Sequence, residues 1–244
     1  MKTLVEAPFP RGNCPIHIFG KAEADSAPVI LFFPDAFSPR DAAFAVAREL
    51  ADEGWRVVMP DNFYEFIPYE RLTPKSIFEE GPTHNRVLEM FGSITQEKID
   101  EDVAALTAFV DANLGADVLL GATGYCMGAR YALTAACMNE RVRFAAGIHG
   151  SNLAPLDQDG PHRRFSRARG RLYVGVSSID PVYDAAEHGR LAEALRAADT
   201  DHVIETYYGV SHGFVFADIP VYDEAASKKH MRRLKEHFGE TLAS

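Results

Sequence analysis

The sequence predicts an α/β fold, a mostly parallel sheet of about seven strands with helices on both faces. Three observations carry this expectation. Short runs rich in Val, Ile, Leu and Phe alternate with amphipathic stretches of helical length. Several of these runs are apolar at every position, as expected of strands buried on both faces. No fixed-period repeat, composition break or Pro/Gly/Ser linker interrupts the 244 residues, so they read as one domain over 1–244. With 47% hydrophobic and 25% charged residues, the composition excludes disorder and a miniature scaffold.

The elements follow in order. Val29 to Phe33 is a continuous apolar run closed by Pro34, and Asp41 to Ala51 is a helix with Phe44, Ala47, Leu50 and Ala51 on one face, stopped by Gly54. Arg56 to Pro60 is the next strand. Residues 61–92 carry Phe63, Tyr64, Phe66, Tyr69 and three prolines without sustained periodicity, so they are expected to form a long connection lining the active site. Ser93 and Gln96 fit a cap for a helix in which Ile99, Val103, Leu106 and Val110 align. Asp117 to Ala122 is a strand and Met127 to Met138 a helix. Val142 to Ile148, Arg171 to Ser177 and His202 to Tyr208 complete the strands. Asp184 to Ala198 and Asp223 to Phe238 are the last two helices.

Charge and cysteine content narrow the function. Lys and Arg total 25 against 35 Asp and Glu, a formal net charge of -10 that disfavours nucleic acid and anionic membrane as partners. Lys2, Glu6, Pro8 and Pro10 break the amino terminus where a secretory segment needs an apolar stretch, and the longest apolar runs fall short of the ~20 residues that span a bilayer. The three cysteines, Cys14, Cys126 and Cys137, suit reduced thiols in the cytoplasm rather than a disulfide framework. Arg163, Arg164, Arg167 and Arg169 form a basic cluster that reads as a solvated face.

The chemistry is expected at Gly124-Tyr125-Cys126-Met127-Gly128, between a strand and a helix. In such an elbow the central residue sits in a strained turn. Glycines two residues before and after it remove Cβ atoms that would collide with the neighbouring chain. The helix start adds a positive dipole end that favours a thiolate. An acid and then a histidine should follow at the ends of later strands, and Asp180 and His212 stand there. His212 would move the proton and Asp180 would fix its tautomer. Cys14 and Cys137 read as packing residues, and His149, after the strand 142–148, as a pocket wall.

These residues resemble the dienelactone hydrolases of the α/β-hydrolase superfamily, whose fold the chain is therefore expected to adopt. The similarity runs through VILFFPDAFSPRD, RVVMPDNFY, GATGYCMGARYAL, YVGVSSIDP and YYGVSHGF to the final helix. The resemblance implies a cofactor-free, metal-free hydrolase of lactones or activated esters, with Cys126, Asp180 and His212 as its triad and a thioester intermediate. It places Asp35 at the position of a glutamate that meets the resting thiol, and makes the Ala36 and Met127 N–H groups the oxyanion hole. Where the family binds a substrate carboxylate through an arginine, this chain has Phe216. With Phe214 and Val215 it implies a drier pocket and a preference for uncharged substrates. Further pocket candidates are Tyr125, Phe37 and Tyr64. The partner expected is a small ester or lactone, and the chain a monomer or homodimer. The alternatives are a non-catalytic ligand-binding scaffold and a redox-responsive thiol protein.

Overall fold

In a computed structural model, which describes residues 2–20, 27–69, 72–73 and 82–243, the chain begins with a hairpin of β1 (Lys2–Phe9) and β2 (Gly12–Phe19). Six further strands follow: β3 (Val29–Phe33), β4 (Arg56–Pro60), β5 (Leu120–Tyr125), β6 (Val142–Ile148), β7 (Arg171–Ile179) and β8 (His202–Ser211). Among the described residues the helices are α1 (Asp41–Ala51), α2 (Pro82–Gly92), α3 (Gln96–Asn113), α4 (Gly128–Met138), α5 (Ala185–Ala197) and α6 (Glu224–Leu242), with short 3₁₀ turns at Tyr64–Phe66, Pro161–Arg163 and Phe165–Arg167.

The sheet order is β1-β2-β4-β3-β5-β6-β7-β8, eight strands against the expected seven or so. Among the described residues the pairs β1–β2 and β2–β4 are antiparallel and the remaining pairs parallel. The hairpin escaped the sequence reading because Pro8 and Pro15 interrupt it and its alternation is irregular, with β2 burying Cys14, Ile16 and Phe19. Its two-residue turn closes on Gly12, whose φ of 140° suits a residue without a side chain.

The central strands behave as their composition dictates. Val29 to Phe33 and Val57 to Met59 are fully or almost fully buried, because helices cover both faces. On one face α1 and α6 lie together, joined by Lys235 to Glu49 and Glu53, with Phe238 packing on Trp55 and Phe144. On the other face α3 and α4 pack against each other, and α4 covers β3, β5 and β6.

Three boundaries moved. Strand β5 runs on to Tyr125 rather than stopping at Ala122, because Gly121 and Gly124 are close-approach positions and not turns. A Cβ at Gly121 would meet the Phe238 ring. Helix α3 is capped by Thr95, whose hydroxyl accepts from the Lys98 N–H at 3.2 Å, whereas Ser93 donates to the Met90 carbonyl. Such a cap contributes about 1 kcal/mol. Within 61–92, residues 82–92 form α2, with Pro82 at its first position; 70, 71 and 74–81 lie outside the described residues.

No helix among the described residues is long and apolar enough to cross a membrane.

Candidate active site

The site forms where β5, β6, β7 and β8 end, the edge at which parallel sheets expose their loops. At the end of β5 the chain turns into α4 through Cys126, whose φ of 54° is left-handed. An L-residue there costs roughly 1–2 kcal/mol, so the surrounding structure must hold it. It does so through backbone bonds: the Cys126 N–H donates to the Ile148 carbonyl at 3.0 Å, and the Cys126 carbonyl accepts from Ala129 at 3.1 Å. The flanking glycines are steric requirements. A Cβ on Gly124 would overlap the Gly128 carbonyl, and one on Gly128 would overlap the Phe33 and Pro34 carbonyls. The thiol is partly exposed, while Cys14 and Cys137 are buried and burial pushes both thiols up, Cys137 to about 12.

Asp180 follows the end of β7 and His212 follows the end of β8. The His212 Nδ1 lies 2.9 Å and 3.1 Å from the two Asp180 oxygens, and the His212 N–H donates to the Ile179 carbonyl at 3.1 Å. Asp180 is itself fixed by two donors. The buried Ser177 hydroxyl donates to Oδ2 at 2.7 Å and the Val182 N–H to Oδ1 at 3.0 Å. Cys126 acts on the charge of the His212 ring. Burial disfavours the imidazolium, but the Cys126 charge and the hydrogen bonds with Asp180 and Cys126 outweigh it and raise His212 to about 10. At neutral pH the His212 ring is thus held in its protonated form.

The loop after β3 supplies the neighbouring wall. Asp35 makes a tight turn, its carbonyl accepting from the Ser38 N–H at 3.0 Å and its Oδ1 from the Phe37 N–H at 3.1 Å. The family comparison led to an expectation of Asp35 against the thiol. Its oxygens accept from Arg40, Nη1 to Oδ1 at 2.5 Å and Nη2 to Oδ2 at 3.0 Å. One methylene shorter than glutamate, the side chain stays within its own turn and meets the arginine five residues on.

The other candidates separate. His149 follows β6 with φ 38°, is 1% exposed, and its ring centroid stands 5.0 Å from that of His212. Burial, with the His212 and His230 charges, holds it well below the ordinary histidine value, so it packs as a neutral ring. Tyr125 and Phe214 have no exposed surface: the Tyr125 hydroxyl meets His230 Nε2 at 3.1 Å, and Phe214 packs on Tyr207. Both support the site from within instead of lining a pocket. Phe216 packs on Tyr125 at 4.9 Å and lies under the Arg40 guanidinium at 4.6 Å; Phe37 takes the same guanidinium at 4.9 Å. Tyr64 turns elsewhere, its hydroxyl donating to Asp102 at 2.7 Å in a cluster with Arg11. Of the basic cluster, Arg164 pairs with Asp100 and Asp159, and Arg169 reaches Glu140 at the surface.

Ser177 and Arg40 were missed by the sequence reading. A serine three residues before the acid was a weak local signal. Arg40 gave none, because its second partner, Asp218, is remote in the chain.

Comparison with known proteins agrees with this fold. The model of the dienelactone hydrolase family matches residues 16–242. A Salmonella typhi protein provisionally named carboxymethylenebutenolidase is 24% identical over 226 residues, covering 90% of this chain and 80% of its own. Among solved structures, a Klebsiella pneumoniae protein provisionally described as a dienelactone hydrolase superposes with a TM-score of 0.83 at 18% identity, covering 98% of each chain. A dienelactone hydrolase-like promiscuous phosphotriesterase from metagenomic libraries gives a TM-score of 0.80 at 18% identity, over 100% of this chain and 99% of its own.

Proposed function

This chain belongs to the dienelactone hydrolase family, and on that premise we propose that it hydrolyses an uncharged lactone or activated ester through a thioester on Cys126. The observation that carries the proposal is the left-handed Cys126 at the strand-to-helix turn, acting on the charge of a His212 held by Asp180.

In this mechanism the Cys126 thiolate attacks the carbonyl carbon, and the carbonyl oxygen takes the negative charge. The Ala36 and Met127 N–H groups receive that oxyanion, an arrangement in which losing one donor costs about 10²- to 10³-fold in rate. As the tetrahedral intermediate collapses, the imidazolium of His212 gives its proton to the leaving alkoxide. Neutral His212 then takes a proton from water, the hydroxide attacks the thioester, and thiolate and acid are released. A thiolate is expelled more readily than an amide anion, which favours esters and lactones over peptides.

The substrate preference rests on charge. Phe216 offers no cation, and the guanidinium above it is already shared by two carboxylates, Asp35 and Asp218. A substrate carboxylate there would meet more negative than positive charge. The three free thiols accord with work in a reducing compartment such as the cytoplasm.

The test is turnover of uncharged esters and lactones by wild type and Cys126→Ala. Loss of turnover with the fold intact supports the assignment, and retained turnover overturns it.

A further inference from the structure

Arg40 joins two segments that the proposed reaction needs in register. It stands at the start of α1 with its side chain 2% exposed, and every edge of its guanidinium is engaged. One edge holds Asp35 through Nη1 and Nη2, and the other holds Asp218, from Nε at 2.7 Å and Nη2 at 3.2 Å. Its faces carry the rings of Phe37 and Phe216 at 4.9 Å and 4.6 Å. A further donation goes to the Ser38 carbonyl at 3.4 Å.

Those partners fall into two groups. Asp35, Phe37 and Ser38 make up the turn that presents the Ala36 N–H, and Asp35 fixes the two residues after Ala36 through the Phe37 and Ser38 amides. On the far side, Ser38 donates to Asp61 at 2.7 Å, so the turn is anchored from behind as well. Phe216 and Asp218 belong to the segment that follows His212. That segment is folded back on itself by bonds from Phe214 N–H to Ser211, Ile219 N–H to Phe216 and Asp223 N–H to Phe214.

We propose that Arg40 is a positioning residue which clamps the Ala36 turn to the His212 segment, so that the oxyanion donor and the proton carrier keep a fixed separation. A planar guanidinium can serve two carboxylates on two edges while stacking between two rings, and a lysine ammonium cannot. The clamp acts through the two segments that it joins. Its contribution is expected where charge develops on the carbonyl oxygen, because a small displacement of a preorganised donor weakens transition-state binding without weakening ground-state binding.

The inference rests on the proposed function in one respect, that Ala36 receives the oxyanion, and its test separates the two. Removing Arg40 alone would leave the buried Asp35 unpaired and endanger folding. Three variants are therefore compared: Arg40→Lys, the charge-neutral pair Asp35→Asn with Arg40→Met, and Asp218→Asn, whose carboxylate is partly exposed. With an ester substrate, the neutral pair is expected to lower kcat about 10- to 100-fold while KM stays within about threefold. Asp218→Asn is expected to do the same to a smaller degree, and Arg40→Lys to fall short of rescue. Alkylation of Cys126 by iodoacetamide builds no oxyanion, so its rate should stay within about twofold in every variant. Affinity for an aldehyde that forms a hemithioacetal on Cys126 should fall in step with kcat. Amide exchange of the 35–38 turn should quicken in the neutral pair.

Unchanged kcat, or alkylation falling as much as kcat, overturns the clamp. If wild type forms no acyl-enzyme, the proposed function fails, and the clamp is then judged by exchange alone: unchanged protection of 35–38 overturns it.

Discussion

Replacing Ser177 by alanine removes one oxygen from a site that is 3% exposed and leaves the rest of the acid loop in place. The lost bond, 2.7 Å from the Ser177 hydroxyl to Asp180 Oδ2, goes to a carboxylate, and hydrogen bonds to charged groups contribute about 1.5–3 kcal/mol. Asp180 keeps the Val182 N–H at 3.0 Å, and His212 still spans both oxygens. If about half of the upper figure acts on the geometry of His212 in the transition state, about 1.5 kcal/mol remains, which is roughly tenfold in rate. Steady-state hydrolysis of a p-nitrophenyl ester measures kcat/KM, and thermal unfolding checks that the fold survives. The expected result is a loss of about tenfold with a cooperative transition retained. An unchanged kcat/KM, or a loss equal to that of Cys126→Ala, would refute the account of how Asp180 is held.

Three other outcomes follow from the charges at the site. In Cys126→Ala the largest influence that raises His212 is gone, so its NMR titration should move down from about 10; an unmoved midpoint would contradict the pairing. For an ester with a poor leaving group, acylation needs the imidazolium, so the single-turnover rate should fall as pH rises through about 10; a fall already near the ordinary histidine value would count against it. An uncharged ester should be turned over at least about tenfold more efficiently than a matched ester bearing a carboxylate near the acyl group, since that carboxylate finds no free cation at Phe216. Equal efficiency for the two would remove the charge argument.

What could be read in advance divides along the range of the interactions involved. The elbow, the acid and the histidine are local signals. Gly124 is dictated by a collision of a Cβ with the Gly128 carbonyl one turn on, Gly128 by collisions with the Phe33 and Pro34 carbonyls beside it, and Asp180 and His212 each follow a recognisable strand. The hairpin Lys2–Phe19 is also local, yet its prolines and irregular alternation hid it. Helix α2 was lost in the aromatic connection because Pro82, His84, Asn85 and Arg86 dilute its apolar stripe. The partners of Asp35 depended on side-chain reach, which a matching position in a family does not convey. Arg40, the residue that joins Asp35 to Asp218, acts across 178 positions of sequence, and no local pattern records such a contact.

The central claim is that Cys126 carries the acyl group. Mass spectrometry of the intact protein and of its peptides, quenched during turnover of a p-nitrophenyl ester, tests it directly. The account predicts an acyl adduct on the peptide containing Cys126 that appears with the burst of nitrophenol and disappears as substrate is exhausted. Turnover with no adduct on Cys126, or with the acyl group on another residue, would contradict it.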